Sequence, residues 1–140
     1  VDRYRAYADV MNKYGYQIKE EFVINSMLFP QKAEEEVEKL IKKGTLPEAF
    51  VCVNDEVAIN VMEKLREYNI DIPEDIAITG FDDIVEAKYE KPPITTVKTP
   101  VYDMANRATQ RAVEMINNPS FTYTNDIFDT SIVIRESTKR

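Results

Sequence analysis

The stretch Ala49–Asp83 reads AFVCVNDEVAINVMEKLREYNIDIPEDIAITGFDD, and it decides the fold class of this chain. Ala49–Val53 is a short apolar run with β-branched residues, which predicts a strand buried on both faces. Ile76–Thr79 predicts a second buried strand. Between them, apolar residues recur at helical spacing, and these are Val57, Ala58, Val61, Met62 and Leu65. Two strands joined by a helix predict a right-handed βαβ unit with parallel strands.

Polar residues follow both strands of this unit. Asn54 and Asp55 come directly after the first strand, and Asp82 and Asp83 come just after the second. Either Asn54 or Asp55 can cap the helix by accepting a backbone N–H bond. Because open α/β sheets bind ligands at the carboxyl ends of their strands, we expect a binding site at this edge.

The rest of the chain continues the alternation of helices and strands. Longer helices are predicted at Val1–Tyr14, Gln31–Lys43 and Val101–Asn117, a short one at Ile84–Tyr89, and strands at Glu21–Asn25, Ile94–Lys98 and Ile127–Ile134. This order predicts an α/β fold with an open, mostly parallel sheet and helices on both faces. A parallel sheet would place a strand before the first helix, so we expect the chain to be part of something longer.

Composition excludes several classes of function. The 140 residues are 44% hydrophobic and carry a net charge of −7, which argues against DNA binding by this segment alone. Without histidine there can be no His-based acid–base catalysis and no His-ligated zinc. We predict no enzymatic activity, catalytic residue, cofactor or metal. The single cysteine, Cys52, is expected to be a buried, inert thiol, and no apolar run is long enough to span a membrane.

Five motifs carry a resemblance to a known family. They are DRYRAY at 2–7, VNDEVA at 53–58, IPEDIAITGFDDI at 72–84, KPPITTVKTP at 91–100 and IVIREST at 132–138. In this order the chain resembles the effector-binding region of the LacI/GalR family of bacterial transcriptional repressors. The resemblance implies a periplasmic-binding-protein-like fold of two lobes. Residues 1–98 would form the C-terminal lobe, residues 99–125 a crossover and a helix of the other lobe, and residues 126–140 a return strand and tail.

The resemblance also implies a function and partners. A small effector, a sugar or sugar phosphate rather than a purine, would bind between the lobes of a cytoplasmic homodimer. Operator DNA would be bound only by a helix-turn-helix domain outside this chain. One alternative is a solute-binding protein of a sugar transporter with the same fold. Another is a phosphoacceptor receiver domain, in which Asp82 and Asp83 would hold Mg²⁺ near Lys98.

Several residues match positions that contact effector in the family. Asp82 would accept hydrogen bonds from ligand hydroxyls, with helix capping as the alternative role. Asn54 is expected to contact ligand and Asp55 to cap the helix. Arg3 would hold ligand oxygens or pair with Asp82 in an empty site, and its alternative is an ordinary surface arginine. Asp83 is expected to cap or to be solvated.

Other predicted contacts lie in loops. Phe29 is a candidate stacking residue, and Met27 or Leu28 could fill the same role. Phe81 is expected in the core or the cleft wall. Thr99 occupies a crossover position where relatives place a polar contact, although threonine reaches less far.

The resemblance implies a dimer interface along Val57–Tyr68 and Ile84–Lys91. The expected interface residues are Val57, Val61, Tyr68 and Tyr89. Packing in the core is the alternative for the two valines, whereas the tyrosines are the better candidates because aromatic residues are enriched at interfaces.

Overall fold

The structure is a computed structural model that describes residues 2–25, 30–118, 120–122 and 125–140. Within these residues the helices are α1 (Asp2–Lys13), α2 (Pro30–Lys43), α3 (Asp55–Glu67) and α4 (Val101–Asn117). The strands are β1 (Ala49–Val51), β2 (Ala77–Thr79), β3 (Thr96–Lys98) and β4 (Ser131–Val133). Short 3-10 turns occur at Glu20–Phe22, Glu86–Lys88 and Glu136–Thr138.

The strands lie in the order β1-β2-β3-β4. β1 and β2 are parallel, with Ala49 opposite Ala77. Parallel bridges from Thr79 to Thr95 and from Asp82 to Lys98 continue the arrangement to β3, and β4 is antiparallel to β3. The predicted α/β fold with a mostly parallel sheet is confirmed.

The hydrophobic core lies between the sheet and the helix pair α2 and α3. Phe50 and Ile78 project from the sheet into one cluster with both helices. The apolar stripe predicted for α3 is confirmed, because all five of its residues are buried: Val57, Ala58, Val61, Met62 and Leu65. This packing fixes α3 against the sheet and thereby holds its first turn at the carboxyl edge of β1 and β2.

β1 is buried on one face only, so the prediction of burial on both faces is wrong. Phe50 is 8% exposed and faces α2 and α3, whereas Val51 on the opposite face is 64% exposed. Successive residues of a strand point to opposite faces, and the helices that bury Phe50 leave the other face of β1 open.

The strand predicted at Glu21–Asn25 is also absent from the described residues. A 3-10 turn at Glu20–Phe22 begins the segment, and Val23 is extended, with φ −92° and ψ 93°. Phe22 and Ile24 pack against the core as alternation predicts, but the segment takes part in no described strand pairing. An apolar sequence pattern cannot by itself supply a hydrogen-bonding partner for the backbone.

α4 matches its predicted bounds but none of its residues is buried. Its Arg107 and Arg111 side chains hold the Asp126 carboxylate, each with an N···O distance of 3.0 Å. Toward the end of the chain, the predicted Ile127–Ile134 strand is limited to β4. No helix among the described residues is long and apolar enough to cross a membrane.

Candidate ligand-binding site

Arg3 joins three chain segments at the carboxyl edge of the sheet. Its guanidinium lies 3.7 Å from the centroid of the Phe81 ring and 3.9 Å from the Asp82 carboxylate. It also donates a hydrogen bond to the carbonyl oxygen of Val53 at the end of the first strand. The predicted site residues Arg3, Phe81 and Asp82 are therefore brought together, although they are far apart in the sequence.

The Arg3–Asp82 pair is open to solvent. The side chains are 48% and 35% exposed, so the pair contributes only about 0–1 kcal/mol to stability. A guanidinium donates hydrogen bonds and a carboxylate accepts them. A ligand with several hydroxyl groups can satisfy both side chains, and little free energy is lost when it separates them.

The backbone at Asp82 and Asp83 is held in an uncommon conformation. Their φ angles are 109° and 56°, in the positive region that non-glycine residues rarely adopt. The Asp82 amide donates to the Val97 carbonyl at 2.8 Å, and the Thr99 hydroxyl donates to the Asp82 carbonyl at 3.4 Å. Thr99 therefore lies beside Asp82. Strain of this kind is common at binding sites.

Asn54, not Asp55, caps α3. The Asn54 side-chain oxygen accepts a hydrogen bond from the Val57 amide at 2.9 Å. The expectation that Asp55 caps the helix is wrong, because the Asp55 carboxylate turns into the protein. Asn54 still lies next to Val53, whose carbonyl oxygen contacts Arg3. Its amide nitrogen is a separate donor that the capping bond does not use.

The structural role of Asp55 was not predicted from the sequence. Its side chain is fully buried, and its two oxygens accept hydrogen bonds from the Thr96 hydroxyl at 2.6 Å and the Ile84 amide at 2.9 Å. Gly80 provides the signal that could have identified this role. A Cβ atom at Gly80 would lie 2.0 Å from an Asp55 carboxylate oxygen, so glycine is required directly after the second strand.

Asp83 is buried and paired, so the expectation of a cap or a solvated side chain is wrong. It forms an ion pair with Arg135, and the two side chains are 7% and 13% exposed. This pairing commits the Asp83 carboxylate to the protein itself. The receiver-domain interpretation loses one of its two proposed Mg²⁺ ligands. Arg135, within the IVIREST motif, was not singled out from the sequence.

Two of the residues expected at a dimer interface are in the core. Val57 and Val61 are 7% and 2% exposed, so that expectation is wrong for both. They face α2 and the sheet because α3 uses its apolar stripe for packing. The Tyr68 hydroxyl donates a hydrogen bond to the Glu38 carboxylate at 2.6 Å. Tyr89 is 79% exposed. The expected stacking residue Phe29, with its alternatives Met27 and Leu28, lies outside the described residues.

Cys52 has an unreactive thiol, as predicted. The residue is half-buried overall, but burial of the thiol and then the negative charge of Asp55 raise its pKa from 9.0 to about 12. At neutral pH the sulfur is protonated, and a thiol is a poor nucleophile compared with a thiolate.

Comparison with known proteins identifies the family. The profile of the periplasmic-binding-protein-like domain family matches residues 1–138. The HTH-type transcriptional regulator AscG of Escherichia coli is 32% identical over 121 residues, which cover 86% of this chain and 36% of AscG. The chain therefore spans well under half of that relative's length.

Solved structures agree in fold. A sugar-binding transcriptional regulator of the LacI family from Escherichia coli, complexed with phosphate, is 30% identical with a TM-score of 0.77 over 94% of this chain and 47% of that one. A LacI family regulator from Lactobacillus casei with bound sucrose is 27% identical with a TM-score of 0.78 over 95% of this chain and 50% of that one. These relatives are regulators, so the solute-binding alternative is not supported. The chain belongs to the periplasmic-binding-protein-like domain family, in the form found in LacI/GalR-type transcriptional regulators.

Proposed function

We propose that this chain forms one wall of the effector site of a LacI/GalR-type transcriptional regulator, and that the effector is a sugar or sugar phosphate. The observation that carries the proposal is the convergence of Arg3, Phe81 and Asp82 at the carboxyl edge of the sheet. Asn54 and Thr99 flank this group and add polar contacts. Phe29 is proposed as a stacking residue from the sequence alone.

The chemistry of the edge supports a ligand rich in hydroxyl groups. Neighbouring hydroxyls of a sugar can donate to Asp82 and accept from the Arg3 guanidinium at the same time. Lys98 is exposed, and its backbone bridges to that of Asp82, so a second cation is available near this edge for a phosphate group. A purine is less favoured, because Arg3 covers the face of Phe81 on which a base would stack.

The relatives support the same class of effector. One related regulator has bound sucrose, and another is described as sugar-binding and was complexed with phosphate. We propose that effector closes this lobe on a second lobe and thereby shifts the whole protein between two DNA-binding states. A ligand achieves this only through a difference in its affinity for the two states.

We extend the proposal to the whole protein. It would be a cytoplasmic, non-enzymatic homodimer that binds operator DNA through a helix-turn-helix domain outside these 140 residues. Residues 1–98 and 126–140 would belong to the C-terminal lobe, and residues 99–125 would cross into the other lobe. The lack of any buried residue in α4 supports this division. Tyr68 and Tyr89 are the proposed dimer contacts.

A thermal-shift screen of the full-length protein with pentoses, hexoses, their phosphates and purines tests the effector class. A ligand at one hundred times its Kd stabilises the folded state by about 2.7 kcal/mol. Arg3→Ala and Asp82→Ala should abolish the shift produced by the best sugar and leave operator binding intact. Arg5→Ala is the matched control, because the Arg5 side chain is 71% exposed and its ion pair among the described residues is with Asp2 of its own helix. Unchanged shifts in both site variants would overturn the site, and stabilisation by purines alone would overturn the effector class.

A further inference from the structure

Asp55 is a fully buried carboxylate at the centre of the candidate site's supporting structure. Its oxygens accept from the Thr96 hydroxyl and the Ile84 amide, and its own amide donates to the Phe81 carbonyl at 2.9 Å. One residue at the start of α3 therefore contacts both β3 and the loop after β2. The loop carries the proposed ligand contact Asp82, and the contacts Asn54 and Thr99 directly precede α3 and directly follow β3.

The partners of Asp55 are neutral. Among the residues that the structure describes, no lysine or arginine lies within ion-pair distance of its carboxylate, and the hydrogen bonds come from a hydroxyl and an amide. Burial of a charged group costs much free energy unless hydrogen bonds compensate for the lost hydration. Helix capping does not explain the residue, since Asn54 supplies the cap. The two hydrogen bonds that this carboxylate accepts therefore have to explain why a carboxylate is present at this position.

Asp55 holds the strained part of the loop from both sides, since its backbone amide donates to the Phe81 carbonyl and its carboxylate accepts from the Ile84 amide. Asp82 and Asp83 both have positive φ, and Asp55 is bonded to the residue before them and to the residue after them. Strained backbone persists only where the surroundings over-determine it. Gly80 lets the loop approach closely, because any side chain there would collide with the Asp55 carboxylate.

We infer that Asp55 is a positioning residue for ligand recognition, which fixes the loop from Phe81 to Ile84 in the conformation that presents Asp82 beside Arg3. Asp55 does not contact ligand itself. Its consequence for effector affinity rests on the function proposed above. Its effect on the loop does not, so the two can be tested separately.

Amide hydrogen exchange in the full-length protein without ligand tests the inference. In Asp55→Asn, which preserves shape and removes the charge, the amides of Asp82, Asp83 and Ile84 should exchange at least about tenfold faster than in the parent protein. Amides in the middle of α3, such as those of Met62 and Leu65, should accelerate only by the factor that global destabilisation imposes.

Thr96→Val provides a second variant that leaves the carboxylate in place and removes its hydroxyl partner, and the amides of Asp82 and Ile84 should accelerate. The Asp83 amide does not report on Asp55 in this variant, because it donates directly to the Thr96 hydroxyl at 3.4 Å. Ser137→Ala is the matched control. Ser137 is also fully buried and bonds to the residue before β3, but its hydroxyl donates to the Ile78 carbonyl and accepts from the Thr95 amide, so these bonds involve neither the loop nor Arg135. In this control, exchange of the loop amides should accelerate only by the factor that global destabilisation imposes.

Equal acceleration of all slow amides in Asp55→Asn and Thr96→Val, or unchanged loop exchange in both, would overturn the positioning role. If the loop responds as expected but no sugar stabilises the parent protein, the proposed function fails and the positioning role stands. If sugar binds the parent protein and Asp55→Asn retains its full affinity despite a loosened loop, Asp55 does not serve recognition.

Discussion

Arg135 forms a largely buried ion pair with Asp83, although 52 positions separate the two residues in the sequence. The same guanidinium donates to the Ile94 carbonyl at 2.8 Å. Asp83 follows the proposed ligand contact Asp82, and Arg135 follows the strand that returns from α4. The pair therefore connects the candidate site to the segment that follows β4.

Arg135→Ala should destabilise the protein severely. Removal of one partner from a buried pair leaves an uncompensated charge and costs about 3–5 kcal/mol. We expect the lower end of this range, since Lys88 remains 3.9 Å from the Asp83 carboxylate. Urea unfolding measures the change. Lys139→Ala is the control, because its pair with Glu136 is more than half exposed and should contribute little to stability. Equal losses in the two variants would contradict the assignment.

The Cys52 thiol should make stability depend on pH in the alkaline range. Its pKa is raised in the folded protein to about 12 from an ordinary value of 9.0. Unfolded chains lose the thiol proton as pH rises past 9.0, while folded chains retain it up to about 12. This contribution is therefore fully present below pH 9 and is lost between those two pKa values, by at most about 1.4 kcal/mol per pH unit.

Comparison of the parent protein with Cys52→Ala isolates that contribution. The urea midpoint of the parent should fall more steeply between pH 9 and pH 10.5 than that of the variant. Alkylation of the folded parent by iodoacetamide at pH 8.5 should also be much slower than alkylation in denaturant. Rapid labelling of the folded protein, or parallel pH curves, would show that the thiol is not protected as its pKa indicates.

Val61 and Tyr89 should respond differently to truncation. Val61 is 2% exposed within the core, so Val61→Ala should lower the free energy of unfolding by about 1–3 kcal/mol through lost burial and a small cavity. Tyr89→Ser removes a side chain that is 79% exposed and should leave the stability of a single chain nearly unchanged. If Tyr89 contacts a second copy, sedimentation will show a weaker dimer in Tyr89→Ser. A dimer of unchanged affinity would exclude that contact.

The parts of the fold that depend on local pattern could be predicted from the sequence. The stripe of α3 follows from the spacing of Val57, Val61 and Leu65, and all three are buried. The bounds of α4 follow equally from Pro100 before it and Asn118 after it. The location of Asp82 at the carboxyl edge of the sheet follows from the order of strand, helix and strand. These features require no knowledge of distant contacts.

Roles set by distant contacts could not be predicted in the same way. Asn54 and Asp55 are both good capping residues, and the positions of Thr96 and Ile84, 41 and 29 residues away, decide which of them turns inward. The ion pair of Asp83 depends on Arg135 in the same manner. Exposure of Val51 depends on which face of β1 the helices cover. Each error arose where two roles were locally equivalent and tertiary packing selected one.

α4 carries an apolar stripe of which no residue is buried in the part of the chain that the structure describes, and substitutions there can test where residues 99–125 belong. Met104 is 46% exposed on this stripe. Met104→Gln keeps size and helix propensity nearly constant, so the 140-residue chain should change in stability by less than about 0.5 kcal/mol.

In the full-length protein the same substitution should be damaging if α4 packs inside a second lobe. A buried glutamine in place of methionine would then lower the free energy of unfolding by about 2 kcal/mol or more. Gln110→Ala, which removes an exposed polar side chain of the same helix, should be mild in both proteins. Calorimetry and urea unfolding of both lengths provide the comparison. A Met104→Gln variant that is silent in the full-length protein would place α4 on the surface and contradict the assignment of residues 99–125 to the other lobe.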